Sequence, residues 1–96
     1  MRTNPEPIRS VNNPRVKDWS GLQQKKGRDA AGAFLVEGAH LVTEALRSAF
    51  EVPEVLYVPG SAAAEEVRAA VSPNDAGGAA WIAVSEQVMQ KIADTR

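Results

Sequence analysis

Short continuous apolar runs alternate along this chain with stretches in which apolar residues return every three or four positions, a rhythm that predicts strands followed by helices. Asn13-Pro14 starts the first helix, because Asn is a good N-cap and proline at the first helical position gives up only an N–H that has no partner. A helix from Pro14 to Lys25 puts Val16, Trp19 and Leu22 on one stripe, with Lys17 and Gln24 on the other side, and Gly27 can then end it. Ala33-Phe34-Leu35-Val36 follows as a continuous apolar run of the kind found in a strand covered on both faces. Gly38 breaks it. The next helix repeats Leu41, Val42, Ala45, Leu46 and Ala49, with His40, Thr43, Glu44 and Arg47 opposite.

The unit then recurs. Val55-Leu56-Tyr57-Val58 predicts a strand, Pro59-Gly60 a turn, and Ser61 the cap of a helix that carries Val67, Ala70 and Val71 inward. Ser72-Pro73-Asn74-Asp75 stops that helix, the small residues through Gly77-Gly78 make a loop, and Trp81-Ile82-Ala83-Val84 supplies a third strand. Ser85 caps a last helix with Val88, Met89, Ile92 and Ala93 on one side. Strands alternating with helices at this spacing predict an α/β fold whose sheet is parallel or largely so, between helical layers. The last helix has no strand after it, so the sheet reads as cut short at Asp94-Thr95-Arg96.

Ninety-six residues allow one domain, which should bury roughly 60 to 65 per cent of its unfolded surface. Apolar residues at 44% and charged residues at 24% argue against disorder. No apolar run reaches the roughly 18 residues that span a bilayer, and residues 1–8, with Pro5 and Pro7, read as a loose cytoplasmic tail. Cysteine is absent, which removes disulfides, zinc-cysteine sites and thiol catalysis. The net charge of −1 hides an asymmetry: Arg2, Arg9, Arg15, Lys17, Lys25, Lys26 and Arg28 face only Glu6 and Asp18 in the first 28 residues, a net +5, whereas the remainder carries −6. A polyanion contact confined to the N-terminal part is the expectation, although a mixed solvated surface also produces such an imbalance.

A catalytic site is hard to assemble from these residues. Glu37-Gly38-Ala39-His40 is neither Gly-x-Gly-x-x-Gly nor a Gly-Lys-Ser/Thr loop, so Gly38 reads as a turn residue. Gly77-Gly78 precedes a strand and reads as linker. His40 is the only histidine, so a zinc site lacks ligands, and no Gly-x-Ser-x-Gly elbow supports a serine triad. Glu37 stands where α/β folds place function, at the carboxyl end of a strand, but a carboxylate bonding nearby backbone N–H groups is the simpler reading. Lys25, Lys26 and Arg28 are explained in part as cations stabilising a helix end. That explanation does not reach Arg9, Arg15 and Lys17 at the other end, and several phosphate contacts are the general signature of nucleic-acid binding. The aromatic residues Trp19, Trp81, Tyr57 and Phe34 fit core positions.

Taken together, "SVNNPRVKDWSGLQQKKGRDAAGAFLVEGAHLVTEAL" strongly resembles the N-terminal substrate-binding domain of SpoU-type (TrmH-type) RNA 2′-O-ribose methyltransferases. The resemblance rests on Ser10, Asn13, Pro14, Val16 and Lys17, on Lys25, Lys26 and Arg28, on Phe34 to Gly38, and on Glu44 to Leu46. The closing "VSEQVMQKIADTR" is also similar to that family's passage into its second domain. It implies a three-layer α/β/α sandwich with a mostly parallel sheet, resembling ribosomal proteins that bind kink-turn RNA, over residues 9–96. A trefoil-knotted domain is expected after residue 96, carrying the catalytic residues, S-adenosylmethionine and the homodimer contact.

The resemblance therefore implies no catalytic residue, cofactor or metal within these 96 residues, which should neither bind the methyl donor nor transfer a methyl group and should remain monomeric. Arg9, Asn13, Arg15, Lys17, Lys25, Lys26 and Arg28 are the expected RNA contacts, with ribosomal or transfer RNA as partner and no membrane. Glu37 and Gly38 are structural or substrate-orienting candidates. Two other classes stay open: a self-sufficient module for structured RNA, and an interaction domain whose basic residues only cap and solubilise.

Overall fold

A computed structural model describes residues 6–49, 51–71 and 79–93. The expected stop at Ser72 to Asp75, the linker at Gly77-Gly78 and the chain end at Asp94 to Arg96 lie outside the described residues, as do residues 1–5 of the expected tail. The described residues form a small α/β domain with five helices and a two-stranded parallel sheet. In chain order these are α1 (Pro14–Gly21), α2 (Lys25–Ala31), α3 (Ala39–Arg47), β1 (Glu54–Tyr57), α4 (Ala62–Ala70), β2 (Ala80–Ala83) and α5 (Glu86–Ala93).

The parallel sheet follows from the β1–α4–β2 crossover, since only a crossover returns the chain in the same direction. Val55 pairs with Trp81 and Leu56 with Ile82, and successive side chains on each strand point to opposite faces. Leu56 and Ile82 therefore join a core with Val16 and Trp19 of α1, Val84, and Val88 and Ile92 of α5. Val55 and Trp81 join a second core with Leu46 of α3 and Val67 of α4, flanked by Ala39, Val42 and Val71. Ser61 and Ser85 cap α4 and α5 as the sequence predicts, accepting bonds from Ala64 N at 3.2 Å and Val88 N at 3.1 Å.

Several expectations are corrected. The first helix does not run to Lys25 but ends at Gly21, and i→i+3 bonds through Leu22, Gln23 and Gln24 turn the chain into a separate helix, α2. Gly27 lies inside α2 and does not end a helix; the stop is Gly32, left-handed at φ 67°. The cause is a close approach: a Cβ on Gly27 would fall inside the Gly21 carbonyl group, 2.7 Å from its carbon, so only glycine admits this corner.

The Ala33 to Val36 run is irregular backbone among the described residues, with Phe34 62% exposed and Leu35 alone packed on the first core. An apolar run becomes a strand only when a neighbour completes its hydrogen bonds. The place beside β2 goes instead to Ile8, the last residue of the expected tail, whose N–H donates to Ala83 O and whose carbonyl accepts from Ser85 N, both at 2.9 Å. In α3 the inward stripe is Ala39, Val42, Thr43 and Leu46, while Leu41 is 55% exposed and Ala49 is exposed. Thr43 tolerates burial because its Oγ1 donates to Ala39 O at 2.8 Å. In α4, Ala64 takes the buried position expected of Ala70, which is exposed.

Candidate nucleic-acid interface

The basic residues gather around α1 and α2. The Ser10 carbonyl accepts from Asn13 N at 3.1 Å, and Asn13 Oδ1 accepts from Arg15 N at 2.8 Å, with Pro14 as the first helical residue. Asn13 is thus a helix N-cap by geometry, and its presence in a Ser-x-x-Asn-Pro pattern has a local cause. Arg15 and Lys17 leave this first turn with exposed side chains, and Arg9 is exposed just beyond the Ile8 bridge.

Arg15 does not stand alone. Its Nη2 lies 3.3 Å from Glu54 Oε2, and its guanidinium carbon lies 5.1 Å from the centre of the Trp19 ring. The Trp19 indole N–H donates to the other oxygen of Glu54 at 2.9 Å. One carboxylate at the start of β1 thereby holds both a core indole and a surface cation of α1. Nothing in the local sequence signals Glu54, which lies 39 residues from Arg15.

The three cations of the Lys25-Lys26-Gly27-Arg28 stretch divide by role. Arg28 is half-buried, and its Nη1 donates to Leu22 O at 3.2 Å and Gln23 O at 3.0 Å, serving carbonyls that the turn after α1 leaves over. The helix-end explanation therefore holds for Arg28. It fails for Lys25 and Lys26, which occupy the first turn of α2, where the positive end of the helix dipole makes a cation unfavourable by about 0.3 to 1 kcal/mol. Lys25 is offset by Asp29 at 2.7 Å, a pair too exposed at 81% and 66% to stabilise much. Lys26 is exposed as well. Gln23, in the turn between the helices, donates to the Ile92 carbonyl and ties this corner to α5.

Glu37 and Gly38 are both exposed, and Gly38 is the N-cap of α3 at φ 98°, a conformation that favours glycine. Glu37 is not drawn into the basic corner by any contact among the described residues, and the carboxylate-to-backbone bond expected of it is not formed there. His40 is exposed on α3. On the other face of the sheet, Arg68 of α4 stacks over Tyr57 at 5.1 Å and Trp81 at 5.5 Å, the two rings meeting edge to face at 6.1 Å. That arrangement roofs half-buried aromatic rings with a guanidinium. No described helix is long and apolar enough to cross a membrane.

The family model of the MRM3-like substrate binding domain matches residues 13–96, so it takes in α1, α2 and every element after them. The 23S rRNA (guanosine(2553)-2′-O)-methyltransferase RlmP of Bacillus subtilis (strain 168) is 51% identical over 49 residues, which make up 51% of this chain and 20% of that protein. The match thus spans about a fifth of the relative's length. No solved structure matches the chain.

Proposed function

Because this chain belongs to the MRM3-like substrate binding domain family, as the N-terminal substrate-binding domain of a SpoU-type methyltransferase, we propose that it holds RNA for 2′-O-ribose methylation. The RNA is ribosomal, by likeness to a relative whose name states a 23S rRNA substrate. The observation that carries the reading is Lys25 and Lys26 in the first turn of α2, a position that costs the fold stability and that no capping role explains. Arg9 and Lys17 add exposed positive charge on the same N-terminal part of the chain. A purely structural account absorbs Arg28 and Asn13, gives Lys25 only an exposed pair with Asp29, and leaves Arg9, Lys17 and Lys26 over.

Phosphate contacts position a nucleic acid without reading its sequence, so this domain sets where the RNA lies, and base choice falls to shape or to unpaired bases. Holding the ribose near a tethered catalytic domain turns a bimolecular encounter into a local one. That second domain, knotted, dimeric and cytoplasmic, supplies the methyl donor S-adenosylmethionine. Among the described residues, the glycines at positive φ, Gly32, Gly38 and Gly60, are each exposed and single. This chain's own part is to bind and orient. The finer architecture belongs to the same reading: the helices on both faces of the sheet are the core of a three-layer α/β/α domain like those of kink-turn-binding ribosomal proteins.

Fluorescence anisotropy tests it, using a 23S ribosomal RNA fragment centred on guanosine 2553 and the variant K17E/K25E/K26E. Each lost phosphate contact should lower the slope of log affinity against log salt by about 0.7 to 0.9, so three contacts change the response to a fourfold rise in salt by about 20- to 40-fold. Equal affinity and slope for wild type and variant refute the reading.

A further inference from the structure

We propose that Glu54 is a positioning and specificity-determining residue for an RNA phosphate contact made by Arg15, an inference that rests on the RNA-binding reading above. The geometry is a three-way junction. Glu54 Oε1 accepts from the indole of Trp19, which is 7% exposed, while Oε2 takes the Arg15 guanidinium that stacks on the same ring. The indole is fixed in the first core, so the carboxylate is fixed, and through it the guanidinium. Arg15 thus begins with its rotamers already restricted, which reduces the ordering cost of any further bond it makes.

The guanidinium also keeps capacity. It carries five N–H donors, Glu54 engages Nη2, and the Arg15 side chain is 52% exposed. A phosphate oxygen can therefore bond beside the carboxylate without displacing it. A guanidinium stacked on an indole and presented at its edge has the planar, directional form that suits phosphate recognition, which a lysine in the same place lacks.

The same carboxylate changes which anions gain from Arg15. At a distance the Arg15–Glu54 pair has no net charge, so it adds little to the long-range attraction of any polyanion. Only a phosphate close enough to bond the free donors gains, and one placed wrongly meets the carboxylate of Glu54, whose side chain is 39% exposed. Glu54 therefore suppresses adventitious polyanion binding while leaving a register-dependent contact. A plain staple between α1 and β1 would not need the charge, because a glutamine oxygen also accepts from Trp19 Nε1.

The test measures anisotropy of the full chain with the 23S fragment and with poly(U), at two salt concentrations, for wild type, E54Q, R15A and R15K. E54Q should bind poly(U) about fivefold more tightly at 0.1 M salt, the consequence of one more uncompensated charge with a slope of about 0.7, and the preference for the 23S fragment should fall. R15A should weaken the 23S fragment and reduce its slope by about 0.7 to 0.9, and R15K should restore slope without restoring preference. Should E54Q unfold at the assay temperature, a wild-type slope in R15A together with wild-type preference in R15K overturns the inference. If slopes and preference stay at wild type in all three while K17E/K25E/K26E still loses RNA, the inference is wrong and the RNA reading stands. If that triple variant also binds like wild type, the RNA reading has failed and takes the inference with it.

Discussion

Replacing Gly27 with alanine sets two effects of known sign against each other. Alanine in a helix interior is favoured over glycine by about 1 kcal/mol, so propensity alone predicts a more stable protein. The structure predicts the reverse, because the new methyl would lie 2.7 Å from the Gly21 carbonyl carbon, where carbon atoms rest at about 3.5 to 4.0 Å. Relief needs a movement of about 1 Å between two backbone segments, since the obstacle is backbone and has no rotamer to change. Overpacking of this kind costs about 1 to 3 kcal/mol, and opening the corner also weakens the Arg28 bonds to Leu22 O and Gln23 O.

The net expectation is a loss of about 2 to 3 kcal/mol. At an unfolding entropy near 2.1 cal/mol/K per residue, that lowers Tm by about 10 to 15 °C, readable by circular dichroism or calorimetry. Gly21→Ala is the control, since nothing stands within 4 Å of its added methyl and it should be neutral or slightly stabilising. A G27A protein as stable as wild type, or more so, would refute the close approach and with it the placement of Lys25 and Lys26 in α2.

Three further outcomes follow from the same contacts. Asn13→Ala should cost about 1 kcal/mol through the lost N-cap bond to Arg15 N, Asn13→Asp should retain most of it, and thermal melts separate the two. Arg28→Ala should destabilise by about 1.5 to 3 kcal/mol in urea titration while leaving the salt slope of RNA binding nearly unchanged, the reverse of what Lys26→Ala should do. Leu46→Ala, at a 5% exposed site, should cost about 2 to 5 kcal/mol, whereas Leu41→Ala, about two-fifths of a turn away around the helix and 55% exposed, should stay within about 0.5 kcal/mol.

The amino-acid sequence by itself determined the features that depend on residues within about four positions of one another. The Asn13-Pro14 helix start, the Ser61 and Ser85 caps and the amphipathic α5 are of this kind, because a cap or a helical stripe is satisfied by its own neighbours. The basic N-terminal part was equally legible, since charge is a property of composition.

Only the tertiary structure decided what those charges do. Arg28 turns onto carbonyls because the chain bends at Gly21, and that bend depends on Gly27 fitting against it. Arg15 meets Glu54 across 39 residues, and Gln23 meets Ile92 across 69, distances at which sequence spacing carries no information. The apolar run at Ala33 to Val36 shows the same limit from the other side: hydrophobicity is local, but a strand exists only where a second segment offers it hydrogen bonds, and beside β2 that place is occupied by Ile8. Chain closure over tens of residues sets which partners meet, and that is settled by the packing of the two cores rather than by any short stretch of sequence.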